Sequence, residues 1–353
     1  MKLLLKLAVL IISLANLSQV YAQELPLQSD LNKMEMLGWS QQDKIAIDSM
    51  ANSMERINSL LIVKNDTLIY ENYFNGFDKD GYSNIKSGSK SVLNILIGLA
   101  IQEGYINSID QKIPEFLPEY FSDTTDLRKR EISIKDLMTM QSGLKPTSLE
   151  HYASWVASED WIAYALNLPL DADPGTYYGY STGDTHLLGV ILSKAVGMSA
   201  LEFAQKHLFE PMGIHVTQWT ADPLGFHEGG NNIFIKPIDY AKIGMMVKNG
   251  GRYNGKQIIN SAWLEESLSF KVTPQGISRP FPIDGYGYLW WLIDASGYKT
   301  YCGIGFGGQY MMTIPDLDMI IVLTSKYKGS APSQHFSDIA ILINDYILKP
   351  IKN

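Results

Sequence analysis

The 353-residue chain reads as an α+β protein. One antiparallel sheet is built from N- and C-terminal segments, with flanking helices and a mostly helical inserted subdomain. Three observations carry this class. Two β-prone runs lie near the start, Leu60–Val63 and Thr67–Phe74; strand-like runs return after Tyr286; and the periodic segments between them are spaced as helices. Hydrophobic residues make up 46% and charged residues 19%, a globular balance rather than a disordered one. A chain of this length buries roughly three quarters of its unfolded surface and needs no cross-links.

The elements follow in order. Met1–Ala22 has a cationic start at Lys2 and Lys6, an apolar run from Leu3 to Leu14, and the small-x-small ending Val20-Tyr21-Ala22. That is a secretory signal cut after Ala22, too short and wrongly flanked for a permanent span. The mature protein is therefore expected to be periplasmic or secreted, with no stable membrane insertion. Residues 23–39 read as an exposed N-terminal segment and 40–353 as one domain, whose helical part runs roughly from 105 to 280.

Ser40 with Asp43 marks a helix N-cap, opening a helix to about Met54. The two early strands form a hairpin turning at Lys64-Asn65-Asp66. Ser87 to Gly104 is a helix apolar on nearly every face, which places it inside the protein. Further helices are expected at Ile134–Met140, Trp155–Leu166, Thr185–Val196, Ala200–Leu208, Pro237–Asn249 and Ser333–Leu348. The late strands are Gly287–Ile293, Lys299–Cys302, Gln309–Ile314 and Met319–Thr324.

Composition excludes several function classes. The formal charge is −8, and about −10 once the leader is gone, against the basic face of a nucleic-acid binder. The single cysteine, Cys302, leaves no intrachain disulfide and no multi-cysteine metal site. The six histidines never fall at metal-binding spacing, and no cofactor or metal is expected. Gly303 to Gly308 satisfies G-x-G-x-x-G, but a strand rather than a helix follows it. Gly250 to Lys256 satisfies G-x-x-x-x-G-K, with Gln257 where a hydroxyl is needed.

Two serine motifs compete. Gly179-Tyr180-Ser181-Thr182-Gly183 matches the G-x-S-x-G elbow of α/β-hydrolases, with Ser181 as nucleophile. The preceding stretch leaves room for only a stub of strand, and no His-Gly-Gly loop lies upstream. Ser-x-x-Lys occurs at Ser83, Ser87, Ser142, Ser296 and Ser325. This chemistry needs both side chains on one helix face with the serine at the N-terminus, where the helix dipole favours developing negative charge. Ser87-Gly88-Ser89-Lys90 meets that condition; a plain N-cap with a surface lysine is the alternative.

Ser87-Gly88-Ser89-Lys90-Ser91, followed by Ile97 to Gly104, resembles the active-site helix of the class C β-lactamase superfamily. So do Ile132 to Leu144, Pro174-Gly175-Thr176, Tyr180-Ser181-Thr182, Leu187-Leu188-Gly189 and Phe209 to Ile214, in the right order across residues 45 to 330. Ser181 to Thr185 and Gly305-Phe306-Gly307-Gly308-Gln309 pull the resemblance toward the 6-aminohexanoate-dimer hydrolase branch. The resemblance implies a β-lactamase/transpeptidase-like fold and an acyl-enzyme on Ser87. Lys90 and Tyr180 become proton-transfer groups. The oxyanion hole would combine the Ser87 N–H with the Gly308–Gln309 strand edge. A packed aromatic beside Tyr177 and Tyr178 is the plain alternative for Tyr180, and a tight bend for the glycine run.

Two positions depart from the family pattern. Thr182 stands where asparagine usually ends the second motif, and Phe306 where β-lactamases carry a lysine for the substrate carboxylate. Together with Gly307, Gly308 and Gln309 they are the candidate oxyanion and substrate contacts. The expectation is a serine hydrolase acting on a small-molecule ester or amide, with poor β-lactam turnover. A peptidoglycan D,D-peptidase, a β-lactamase and an idle binding protein of the same fold stay open, as does the oligomeric state. Trp155, Trp161, Trp219 and Trp290 are candidates for an apolar substrate wall, with core packing as the plainer role.

Overall fold

The computed structural model describes residues 38–122, 124–276 and 280–352; the leader lies outside them, as does the 23–39 segment except for its last two residues. Of those two, Trp39 is buried rather than exposed, its Nε1 donating to Ile347 O at 3.2 Å. The helices are α1 (Gln41–Ser53), α2 (Ser89–Gln102), α3 (Ile134–Met138), α4 (Tyr152–Val156), α5 (Trp161–Asn167), α6 (Thr182–Val196), α7 (Ala200–Ala204), α8 (Pro237–Lys248), α9 (Ser261–Ser267) and α10 (Ser333–Ile341). The strands are β1 (Ile57–Lys64), β2 (Thr67–Tyr73), β3 (Ser83–Asn84), β4 (Val216–Trp219), β5 (Ile233–Ile235), β6 (Arg252–Tyr253), β7 (Lys256–Gln257), β8 (Ile283–Tyr286), β9 (Trp291–Ala295), β10 (Tyr298–Gly305), β11 (Gln309–Ile314) and β12 (Met319–Ser325).

Seven strands form the main sheet in the order β2-β1-β12-β11-β10-β9-β8. Its first and last segments meet in the middle: Leu60 stands opposite Leu323 and Ile62 opposite Ile321, antiparallel. Every residue of β12 and all but the last of β1 are buried, so both faces of the sheet are covered. α8 packs on β12 and β11, with Gly244 set against Ile320 and Met311. The sheet built from both termini is as the sequence predicts, and α2 is buried from Ser89 to Ala100.

Several boundaries differ, each for a local reason. The helix expected from Trp155 to Leu166 breaks, because Asp160 takes the N-cap and accepts from Ile162 N and Ala163 N. The helix expected from Thr185 starts at Thr182, capped by Ser181. The strand expected at Gly287–Ile293 begins only at Trp291, because residues 287–290 form the turn between β8 and β9, where Leu289 adopts φ +62° and its N–H binds Met138 O. The helices expected to reach Leu208 and Leu348 finish in wider π-type turns at Gln205–Phe209 and Leu342–Leu348. A second sheet, β3-β5-β4, was not expected, and its strand β3 leads directly into the Ser87 turn. Among the described residues no single helix is long and apolar enough to cross a membrane.

Candidate active site

Ser87 lies in a tight 3-10 turn, Lys86–Gly88, immediately before α2. β3 anchors the turn: Lys86 N donates to Asn84 Oδ1 at 2.9 Å, and Ile85 N to Ile233 O of β5 at 3.0 Å. Lys86 carries φ +50°, a left-handed conformation that side chains rarely adopt and that a tightly held turn must impose. One helical turn on, Lys90 is 1% exposed, and its Nζ stands 3.3 Å from Ser87 Oγ. The same Nζ donates to Gly230 O at 2.8 Å and reaches Thr182 Oγ1 at 3.4 Å. It lies 5.2 Å from the centre of the Tyr180 ring, which packs at 5.7 Å against Trp291. Lys90 forms no ion pair within 4.0 Å among the described residues. Ser87, Lys90, Tyr180 and Thr182 are thus brought together from two helix starts and a loop, although no hydrogen bond joins Tyr180 Oη to Ser87 or Lys90 among the described residues.

Ser181 is placed differently. It is 1% exposed, and its Oγ accepts from Asp184 N at 3.3 Å and Thr147 N at 3.4 Å. That is a buried helix cap, not the exposed serine of a nucleophile elbow.

The glycine-rich run also divides. β10 approaches the Ser87 turn through Gly305 and Gly303. A Cβ on Gly305 would sit 2.1 Å from Ile85 O, and one on Gly303 would sit 2.7 Å from Tyr240 Oη and 3.2 Å from Ser91 Oγ. Gly307 and Gly308 form the β10–β11 turn with φ +81° and +97°. Gly307 lies against Lys326 O, and Gly308 against His335, Ile339 and Ser325. Phe306 stands 58% exposed on that turn. The Gln309 side chain is wholly buried, donating to Ser325 O and accepting from Ser325 N. The structure thus sets Gly303 and Gly305 of β10, besides the Gly307–Gln309 edge named from sequence, against the Ser87 turn, α2 and α8.

A family model described as "Beta-lactamase" matches residues 47–344. The chain belongs to the beta-lactamase family. Among its relatives, the 6-aminohexanoate-dimer hydrolase of Paenarthrobacter ureafaciens is 25% identical over 288 residues, covering 76% of this chain and 72% of the relative. A lovastatin esterase of Penicillium rubens is 25% identical over 191 residues, 47% of this chain and 46% of the esterase. A penicillin-binding protein from Bacillus halodurans superposes with a TM-score of 0.65 at 15% identity over 84% of this chain and 98% of its own. EstCE1, a hydrolase with promiscuous acyltransferase activity, superposes at 0.71 with 15% identity, over 86% of this chain and 99% of that one. This beta-lactamase-family chain is a serine hydrolase with the β-lactamase/transpeptidase-like fold. That fold removes the α/β-hydrolase alternative.

Around the beta-lactamase-family site the structure adds residues the sequence did not flag. Ser148 Oγ is 3.0 Å from Thr182 Oγ1 and accepts Thr182 N at 2.9 Å, while Thr147 Oγ1 accepts Gly183 N at 2.7 Å. Gly230 must lack a side chain, since a Cβ there would stand 2.9 Å from Lys90 Nζ and 1.8 Å from Thr185 Oγ1. Asp184, on the first turn of α6, is buried, and its Oδ2 has no hydrogen-bond partner among the described residues. Burial pushes its carboxyl up to about 7, against the lowering effect of the Ser142 and Ser181 hydroxyls. Its Ser-x-x-Asp spacing from Ser181 was readable as a capping pattern; Ser148 and Gly230 carry no such signal. Lys86 points elsewhere, to Asn232 Oδ1 at 2.9 Å and over the Tyr327 ring at 5.3 Å, and burial lowers its proton affinity. The four tryptophans belong to the core, each 7% exposed or less. Trp155 and Trp161 pack around His186, which is paired with Asp222 at 2.9 Å; Trp219 binds Glu228 O; and Trp290 binds Asn94 Oδ1. Among the described residues no cluster of three or more His, Cys, Asp or Glu side chains is placed to hold a metal.

Proposed function

We propose that this exported serine hydrolase cleaves an ester or amide through an acyl-enzyme on Ser87. Lys90 and Tyr180 transfer the protons, and β-lactams are turned over poorly. The observation that carries the reading is the buried Lys90 amine, 3.3 Å from Ser87 Oγ and without an ion-pair partner among the described residues. An amine tied to a carboxylate serves as a structural cation; within hydrogen-bond reach this one has the Ser87 and Thr182 hydroxyls and the Gly230 carbonyl among the described residues.

As Ser87 Oγ bonds to the substrate carbonyl carbon, its proton passes to Lys90 Nζ. The oxyanion is received by the Ser87 N–H and by the β10 edge at Gly303–Gly305, where glycines permit close approach. Collapse breaks the bond to the alcohol or amine, which leaves with a proton from the Lys90–Tyr180 pair. Water then adds to the acyl carbon, gives its proton to the same pair, and releases the acid as Ser87 recovers its hydrogen. Poor β-lactam turnover is expected because neither the Gly303–Gly305 edge nor the Phe306–Gly308 turn carries a cation for the substrate carboxylate. Export follows from the leader.

The test is fluorophosphonate labelling of the mature protein with peptide mapping, beside Ser87→Ala. An adduct on Ser87, with ester turnover lost in Ser87→Ala, supports the reading. An adduct on Ser181, or turnover surviving Ser87→Ala, overturns it. A kcat/KM toward cephalosporins typical of resistance enzymes overturns the β-lactam part, and an exported form not beginning at Gln23 overturns the leader assignment.

A further inference from the structure

We propose that Ser148 is a positioning residue that aims the lone pair of Lys90 at Ser87, acting through Thr182. The inference rests on Lys90 being the base for Ser87, and it adds the device that keeps that base correctly turned. The argument is a count of hydrogens. A neutral amine has two hydrogens and one lone pair, and three groups surround Lys90 Nζ: Ser87 Oγ, Gly230 O and Thr182 Oγ1. Gly230 O, a carbonyl, only accepts and takes one hydrogen. Ser87 carries the proton to be removed, so the lone pair must face it. The second hydrogen is left for Thr182 Oγ1.

A threonine hydroxyl can equally donate, however, and one that donated to Nζ would occupy the lone pair. Ser148 closes that option. Its Oγ accepts Thr182 N at 2.9 Å and stands 3.0 Å from Thr182 Oγ1. When Ser148 Oγ takes the Thr182 hydrogen as well, Thr182 Oγ1 presents only lone pairs to Lys90. Two further features fit. Ser148 holds the N-cap position of the turn Leu149–His151, yet its side chain caps nothing there. The chain also leaves Ser148 through Leu149, at φ +60° and 95% exposed, a strained conformation with no apolar burial to offset it. The next-door Thr147 grips Gly183 N, so the loop is fastened to the start of α6 by two successive hydroxyls.

The experiment measures the second-order rate of fluorophosphonate labelling of Ser87 against pH, with the adduct mapped, for the parent, Ser148→Ala, Ser148→Thr, Thr182→Val and the Ser148→Ala/Thr182→Val double variant. Ser148→Ala is expected to label about 10- to 100-fold more slowly, as misaligned reacting groups do, with a displaced pH profile. Ser148→Thr recovers most of that loss. The double variant is no slower than Thr182→Val, because Ser148 acts only through Thr182. A Ser148→Ala rate and profile within about twofold of the parent overturns the proposal, and so do losses that multiply in the double variant. If Ser148→Ala does not fold, Ser148→Cys takes its place, since a thiol is too weak an acceptor to hold the Thr182 hydrogen. Failure of the underlying reading looks different: the parent itself then carries no adduct on Ser87, or Lys90→Gln labels as fast as the parent.

Discussion

Asp184 makes stability depend on pH in the direction opposite to most carboxylates. Burial raises its carboxyl from the ordinary 3.8 to about 7. Between those values the folded protein holds a proton that the unfolded chain has released, so stability falls as pH rises through the window and is lowest above it. At about 1.4 kcal/mol per pH unit, the displacement amounts to about 4 kcal/mol of destabilisation above pH 7, an upper figure if the structure relaxes around the anion. Asp184→Asn keeps the shape and cannot ionise, and its amide hydrogens can use the Ser142 and Ser181 hydroxyls as acceptors. Urea denaturation of parent and variant at about pH 4.5 and about pH 8.5 isolates the group from every other titration. Asp48, Glu115, Glu119 and Glu266, whose proton affinities are lowered, titrate alike in both proteins and cancel. The variant is expected within about 1 kcal/mol of the parent at the acid end and more stable by several kcal/mol at the alkaline end. A difference between variant and parent that does not change with pH refutes a buried, proton-holding Asp184.

Other substitutions address neighbouring contacts. Gly230→Ala puts a methyl group 2.9 Å from Lys90 Nζ and 1.8 Å from Thr185 Oγ1; labelling of Ser87 is expected to slow at least about 100-fold, and an unchanged rate removes Gly230 from the account. Ser181→Ala loses a helix cap and about 1 kcal/mol by urea midpoint while the adduct stays on Ser87. Tyr240→Phe deletes a buried hydroxyl that has no hydrogen-bond partner among the described residues and abuts Gly88 and Gly303. It is expected to stabilise the fold by about 1 kcal/mol in the same assay, and a loss of stability shows that Oη has a partner, such as an ordered water.

How much of this was legible follows from which residues make each feature. α2 was readable because its signals are local: a continuous apolar run beginning at a Ser-x-x-Lys. The hairpin and β10 to β12 announced themselves through β-branched and apolar runs with turns between. β3 to β5 did not, since strands of two to four residues are too short to show a period. The break before α5 had its signal in Asp160, but the apolar spacing of Trp155, Ile162 and Ala165 outweighed it.

The site shows the same division more sharply. Ser87 and Lys90 are three residues apart and could be paired by helix geometry alone, whereas the groups that orient Lys90 come from 58 residues downstream at Ser148 and 140 at Gly230. No local pattern announces such neighbours. The run Gly303 to Gly308 shows why composition misleads at the remaining wall. It contains four glycines, all of them required, but for different reasons. Gly307 and Gly308 are needed for their positive φ at the turn, while Gly303 and Gly305 are needed because backbone and side chains of the Ser87 turn and α8 come too close for a Cβ. A sequence shows that glycines are present and not which constraint each one answers. Gly303 and Gly305, set against the Ser87 turn, α2 and α8, were accordingly not among the candidate contacts. A substitution of Gly305 therefore tests its contact with the Ser87 turn, and one of Phe306 tests an exposed turn residue.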